Sequence, residues 1–384
     1  MQKQLSLSRL AVAGLLCAVA SCREKSSAPS AEAIREINLK RGSPIVCGIP
    51  DPKYGFSGFE TSCAASGSAD FNLAISLLHS FEYDEAEKAF AAIIDREPGC
   101  AMAYWGVAMA NYHPLWAPPT PAELAKGTKA ITLARRIPQK TPRETAYIHA
   151  LAQFYQDEAT TPHAVRCARF EQAMARLHAT YPDDKEAAIF YALALNGAAD
   201  PADKTFRRQR QAGDMLTTLS RSAPNHPGII HYIIHSYDYP ELAAQALSAA
   251  RKYAAIAPSS AHAQHMPSHI FVRLGLWDDC VASNLDAASS ARCYAESTGI
   301  KGHWDEELHA LDYLTYAYLQ KADNRQAKAQ WDYLKTIREV HPANFKVAYA
   351  LAAIPARYVL ENKLWWEAAH LKIPTANVVW DEFP

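Results

Sequence analysis

Hydrophobic side chains recur at intervals of three and four residues from Ala69 onward, and runs of β-branched residues are few. This spacing places apolar residues on one face of an α-helix, so it predicts helices almost throughout. Turns interrupt the pattern at regular intervals. The segment FNLAISLLHSFEYDEAEKAFAAIIDREP, for example, predicts a helix, a short break and a second helix that ends at Pro98. The pattern therefore predicts an all-α fold built from helix hairpins.

Small, aromatic and proline residues occupy recurring positions in these hairpins. In the first unit they are Tyr83, Ala86, Phe90, Ile93 and Pro98, and in a later unit Gly275, Trp277, Cys280, Asn284 and Ala287. This arrangement resembles the tetratricopeptide repeat (TPR), whose period is about 34 residues. The resemblance implies a right-handed α-solenoid of TPR-like hairpins over residues 69–384, in which each hairpin buries the apolar face of its neighbour.

The array as a whole is also similar to exported bacterial repeat proteins to which no chemistry is assigned. The stretches HYIIHSYDYP and HMPSHIFVRLGLWDD contribute to that similarity. It implies a fold and a location, but no activity.

The N-terminal residues have the pattern of an export signal. Lys3 and Arg9 precede a short apolar run that closes with Val19-Ala20-Ser21-Cys22. The last four residues resemble a bacterial lipobox, which implies a signal peptide over residues 1–21 and lipidation of Cys22; an ordinary cleaved signal is the alternative. Arg23 after the cysteine favours the outer membrane by family precedent. We therefore expect a protein of the bacterial cell envelope, anchored to the membrane by lipid, with a flexible tether over residues 22–34 and an irregular lead-in over residues 35–68.

Charge and cysteine content narrow the functional classes. The 39 basic residues balance 40 acidic ones, so there is no excess of positive charge for nucleic-acid binding. In an oxidising compartment, the cysteines outside the signal and the lipid site can form disulfides. Cys47 and Cys63 bracket a segment rich in glycine, proline and serine, which predicts a disulfide between them, whereas Cys280 is expected to be a buried thiol.

Histidines are concentrated in three successive hairpins. The first helix of each TPR hairpin lines the concave side, and alignment to the repeat places the following residues on groove-facing positions: His231, His235, His262, His265, His269, His309 and Asp312. Residues four apart on a helix share a face, so His231 and His235 could bind one ion, as could His265 and His269. Imidazole suits zinc, copper, nickel or iron, and Asp238, Asp312 or Glu306 could complete the ligand set.

Two features near the groove leave the local structure open. The proline-rich segment NYHPLWAPPTPAE, residues 111–123, predicts a rigid loop that places Tyr112, His113 and Trp116 at one edge of the groove. It is either a spacer or a lid. Pro267 either begins a helix or kinks one, and in the first case His262 and His265 would lie on an approach loop.

The residues favour a membrane-anchored adaptor that binds a protein, peptide or small ligand in a histidine-lined groove. The alternative is a metal-binding protein or a metal-dependent hydrolase with a divalent transition metal on His231, His235, His265 and His269. A passive scaffold is a third possibility. The sequence contains no HExxH, GxSxG or Walker motif, so it identifies no catalytic residue and makes a non-enzymatic role the expectation. Because histidine titrates near neutrality, ligand binding is expected to change between about pH 5.5 and 8.

Overall fold

The computed structural model describes residues 28–45, 47, 53–63, 68–115, 118–372, 374 and 376–380. Over this part of the chain the secondary structure is almost entirely helical, which confirms the all-α class. The helices of the N-terminal half are α1 (Ala31–Ile37), α2 (Ser68–His79), α3 (Tyr83–Arg96), α4 (Ala101–Ala110), α5 (Pro121–Arg136), α6 (Pro142–Tyr155), α7 (His163–Thr180), α8 (Lys185–Gly197) and α9 (Arg207–Leu219).

The C-terminal half adds further helices and one small sheet. Its helices are α10 (Pro227–Tyr237), a 3-10 helix (Ala243–Ala246), α11 (Leu247–Ile256), α12 (Ala261–His265), α13 (Pro267–Leu274), α14 (Trp277–Thr298), α15 (Asp305–Gln320), α16 (Asn324–Leu334), α17 (Phe345–Glu361) and α18 (Trp365–Ala369). Strands β1 (His303–Trp304) and β2 (Val340–His341) pair in parallel, with His303 opposite Val340. Among the described residues, every helix is too short or too polar to traverse a lipid bilayer.

Local sequence signals fix where several helices begin and end. Thr120 and Glu123 form a reciprocal capping box at the start of α5, and Thr141 and Glu144 repeat it at α6. Gly275 ends α13 with φ of 70°, a left-handed conformation that glycine adopts without steric cost. Gly275, one of the recurring repeat positions, thus separates α13 from the next helix, α14.

Small residues allow the helices to approach closely. A Cβ atom on Gly106 of α4 would lie 2.3 Å from the ring of Phe90 on α3, so no side chain fits there. Phe90 and Ala86, which occupy recurring positions of the sequence pattern, are both fully buried. The main hydrophobic core is formed by residues between Ile37 and Cys280 together with Ala317, and a second core lies among α15, α16 and α17.

The described residues of the lead-in, 38–45, 47 and 53–63, lie across the helices as a strap that two disulfides hold. Cys47 pairs with Cys293 on α14, and Cys63 pairs with Cys100 at the start of α4. The predicted Cys47–Cys63 bond is thus not formed, because the strap is extended and each cysteine meets a helix that is distant in sequence. Cys280 is a buried free thiol, as expected.

The first hairpin contacts helices much later in the chain. His79 at the end of α2 is hydrogen-bonded to Glu186 on α8 and to Tyr232 on α10, and Glu82 accepts a hydrogen bond from Ser260 at the start of α12. These contacts bring the histidine-bearing helices α10, α12, α13 and α15 together in the interior. The signal region, Cys22 and Trp116 lie outside the described residues.

Candidate metal centre

Six histidines converge in two groups of three. We call His231, His235 and His262 the first cluster, and His265, His269 and His309 the second cluster. Within each cluster, one possible ligand atom per residue lies within 4.8 Å of the others. Helix α10 supplies two members of the first cluster, while α12 contributes His262 to the first and His265 to the second. The short helix α12 therefore joins the two clusters.

In the first cluster, the Nε2 atom of His231 faces the Nε2 atoms of both neighbours. It lies 2.9 Å from Nε2 of His235 and 3.2 Å from Nε2 of His262. The Nδ1 atom of His231 is 2.6 Å from the backbone oxygen of His79. A carbonyl oxygen can only accept, so Nδ1 of His231 carries the proton and donates it. In the neutral ring, Nε2 of His231 therefore carries a lone pair, and this lone pair points at the Nε2 atoms of His235 and His262.

In the second cluster, two rings face each other through Nε2, and the acceptor of the Nδ1 proton is known for both rings. Nδ1 of His265 donates to Oδ1 of Asn284 at 2.7 Å, and the amide nitrogen of Asn284 donates to the Cys280 carbonyl, which fixes the orientation of the amide. Nδ1 of His269 donates to the Asp238 carboxylate at 2.9 Å. The Nε2 atoms of His265 and His269 are 3.1 Å apart, and in neutral rings each presents a lone pair to the other.

Facing lone pairs at this distance repel each other unless a cation lies between them. Three imidazole nitrogens bound to one tetrahedral ion at 2.0–2.1 Å would be about 3.3 Å apart. The observed separations of 2.9, 3.2 and 3.1 Å are close to that value. A proton satisfies one pair of nitrogens, whereas a metal ion satisfies three at once. The spacing of the ring nitrogens thus fits a shared metal ion as well as it fits hydrogen bonds between the rings.

The residues behind the imidazoles also match those of a metal centre. Metal-bound histidines commonly donate their second ring N–H to a carboxylate, an amide or a backbone oxygen, which fixes the tautomer and the ring orientation. Here the acceptors are Asp238, Asn284 and the His79 carbonyl. Glu306 lies 3.9 Å from Nδ1 of His262 and occupies a similar position.

A third group, His79, Glu186 and His226, provides a contrast within the same molecule. The Nε2 atoms of both histidines are 2.9 Å from the Glu186 carboxylate, to which they can donate. Nδ1 of His79 then accepts from the Tyr232 hydroxyl, and Nδ1 of His226 accepts from the backbone of Ile229. Every ring nitrogen has a complementary partner. This group is satisfied by hydrogen bonds and needs no ion.

Burial lowers the pKa of several of the cluster imidazoles, which favours their neutral form. Removal from water lowers the pKa of His231 and His265 well below the usual value, and neighbouring rings, His262 and His309 respectively, lower it further. Burial also lowers the pKa of His309 to about 3. Neutral imidazole is the form that binds a metal. His231, His265 and His309 are therefore expected to titrate at a lower pH than a histidine in water.

Aromatic rings pack against both clusters, and each cluster has one histidine that is only partly buried. Tyr253 stacks on His231 with ring centroids 5.0 Å apart, Phe81 stacks on His235 at 5.4 Å, and Tyr313 meets His265 edge-on at 4.8 Å. His235 and His309 are only partly buried, whereas the other four histidines are buried. A small molecule could therefore reach the clusters past these two side chains.

The other predicted groove residues lie away from the clusters. Asp312 is buried and ion-paired with Arg357 instead of facing a histidine. Tyr112 is fully buried between Phe154 and Phe170, so it does not form an exposed groove edge. His113 packs against Tyr83 and lies 3.3 Å from Glu123. These three residues do not join the metal-like arrangement.

Pro267 begins α13, which is the first of the two predicted alternatives, a helix start or a kink. His262 and His265 nevertheless lie on a helical turn, α12, and not on an approach loop, because Met266 keeps a helical conformation between the two helices. Sequence reasoning missed Asn284 as a partner of His265, and it missed His79 and His226 altogether. Asn284 was noted only as a packing residue of the repeat, and His79 and His226 lie at helix ends outside the groove-facing positions.

Comparison with known families and with curated proteins finds no match to this chain. The functional assignment therefore depends on the site itself.

Proposed function

We infer that this protein binds two transition-metal ions, one in each tri-histidine cluster. The observation that carries the inference is the convergence of three imidazoles in each cluster, together with the Nε2 atoms of His265 and His269, which face each other at 3.1 Å while both rings donate through Nδ1. A cation held between buried nitrogens that face one another would remove the cost of leaving their lone pairs unpaired. The donor set suits copper, zinc, nickel or iron.

Elemental analysis of the purified protein tests this function. After loading with a transition metal and dialysis, the protein should retain two ions per chain. His231→Ala and His265→Ala should each retain one ion, because each removes a ligand whose lone pair points into a different cluster. His149→Ala is the matched control, since His149 is exposed on α6, and it should retain two.

Failure of the wild-type chain to retain any ion would contradict the proposal. Equal retention by wild type and both cluster variants would contradict it too, since the metal would then lie elsewhere. Circular dichroism should show the same helical content in all variants that are compared.

The supporting framework is a right-handed solenoid of TPR-like hairpins, held by a lipid anchor at Cys22 in the bacterial envelope. The regular helix succession and the small–aromatic packing of Gly106 on Phe90 support the repeat. The two disulfides support an oxidising compartment. These statements stay proposals.

The adaptor hypothesis also stays a prediction. Five of the six cluster histidines belong to the predicted groove floor, but the rings contact one another and four of the six are buried. They offer little surface to a peptide. The metal-binding function therefore agrees better with the geometry.

A further inference from the structure

One buried arginine lies on a helix that contributes no cluster histidine, and it has no counterion. Arg166 on α7 is only 4% exposed, and its Nε and Nη1 atoms are buried without a hydrogen-bond partner among the described residues. A guanidinium keeps its proton at every physiological pH, so the fold holds a positive charge here. The ring of Phe154 faces this charge, with its centroid 5.1 Å from Cζ.

Other arginines of the chain show how unusual this is. Arg143, Arg208 and Arg357 have side chains that are 22%, 26% and 29% exposed, and each is ion-paired with a carboxylate. Arg166 is more deeply buried than these three and lacks such a partner in the described structure. An aromatic face stabilises a cation by less than burial of an unpaired charge costs. The arrangement therefore calls for an anion.

His163, one turn before Arg166, offers a second unpaired nitrogen. Its Nε2 atom is 3.3 Å from Sγ of Cys167, and its Nδ1 atom is buried without a partner among the described residues. Burial raises the pKa of Cys167 to about 11, so the thiol keeps its proton and can donate it to Nε2. Nδ1 of His163 then carries the ring proton and is a free donor.

The two side chains are neighbours at the start of α7. Residues three apart on a helix have Cβ atoms about 5–6 Å apart, and both side chains pack against Phe154, His163 with ring centroids 5.9 Å apart. The helix cap is Pro162, which makes no side-chain hydrogen bond to the first turn. The positive end of the helix dipole thus adds to the charge of Arg166.

We propose that Arg166 and His163 form a binding site for a small oxyanion, a carboxylate or a phosphate, at the start of α7. The guanidinium supplies the charge and directional N–H donors, which match the oxygens of both groups. The His163 N–H and the helix terminus add neutral donors. This site is independent of the two histidine clusters.

The surroundings favour a small ligand that enters from the helix start. His163 is half-buried and Val165 is exposed, so solvent reaches this end of α7. Arg166 itself lies deeper, behind His163 in the helix, and only a compact anion can approach its nitrogens.

Thermal unfolding of the chelator-treated full chain tests the proposal, because chelation removes metal ions that could bind the anion instead. Acetate and inorganic phosphate are added separately, with chloride at the same ionic strength as the control salt. At about five times the dissociation constant, the bound anion should raise the melting temperature of wild type by about 2–4 °C. Calorimetric titration should give one anion per chain, and the anion that binds identifies the ligand as carboxylate or phosphate.

Three variants separate the site from a general salt effect. Arg166→Met should lose the anion-dependent rise, whereas Arg176→Met, which removes the same charge from an exposed position of α7, should keep it. His163→Leu should bind the anion about tenfold more weakly. Without the anion, Arg166→Met should melt no lower than wild type, because it removes an unpaired buried charge.

Three results would overturn the proposal. The first is a wild-type melting temperature that neither oxyanion raises above its value in chloride. The second is an equal rise in wild type and Arg166→Met, which would place the anion elsewhere. The third is a marked loss of stability in anion-free Arg166→Met with normal helical content, since the fold would then already compensate the charge.

Discussion

At the scale of single residues, the second nitrogen of each imidazole determines what the first can bind. Asp238 shows this most clearly, because its carboxylate accepts from Nδ1 of His269 and thereby directs a lone pair into the second cluster. The sequence indicated Asp238 as a possible ligand. It could not show that the carboxylate stands behind a histidine, since that depends on how α10 and α13 cross.

Asp238→Asn should therefore weaken metal binding in the second cluster by about 10–100-fold, the usual effect of losing a charged partner behind a ligand. The first cluster serves as the internal control and should keep its affinity. Titration of the metal-free variant with Cu⁺ or Zn²⁺ measures both. Equal weakening of both clusters would point to a general loss of structure, and unchanged affinity at the second would remove Asp238 from the centre.

At the scale of elements, helical spacing predicted which histidines contact each other within a helix. It did not predict how histidines from different helices form the two clusters. His231 and His235, four apart on α10, place their Nε2 atoms 2.9 Å apart, as periodicity requires. The division of α12 between two clusters depends on Pro267, which starts a new helix directly after His265 and Met266. The cysteine partners were also unpredictable, because the strap crosses the molecule and its contacts are not local in sequence.

The two disulfides of the strap should differ in how much they stabilise the protein. Removing the Cys47–Cys293 bond, with a sequence separation of 246, should destabilise the protein more than removing Cys63–Cys100, with a separation of 37. Loop-closure entropy gives a difference of about 1.5 kcal/mol. Urea unfolding of the two double Cys→Ser variants measures it. A larger loss for the Cys63–Cys100 pair would contradict the account of the strap as a long-range tie.

At the scale of the whole molecule, the fold buries imidazoles that must stay neutral. The all-α class followed from hydrophobic periodicity, which needs only local spacing. The enclosure of six histidines by α2, α10, α12, α13 and α15 did not, because it arises from contacts such as His79 to His231 across 152 positions.

This burial predicts that the metal-free protein loses stability as the pH falls below about 6.5. In the unfolded chain His231 and His265 take up protons near that pH. In the folded chain burial holds their pKa well below it, so the stability present above pH 6.5 is lost as acid favours the unfolded state. Each contributes roughly 1.4 kcal/mol per pH unit.

Denaturant unfolding at several pH values measures this slope. His231→Gln should reduce the slope by one proton, and His149→Ala should leave it unchanged. Stability that does not depend on pH between 6.5 and 5 would show that these rings are not held neutral.

Anomalous diffraction from crystals of the metal-loaded protein tests the central claim most directly. We expect two peaks, one about 2.0–2.1 Å from Nε2 of His231, His235 and His262, the other at that distance from imidazole nitrogens of His265, His269 and His309. The group around Glu186 should show none. Absence of both peaks, or a peak only at His79 and His226, would contradict the assignment of the two clusters as metal sites.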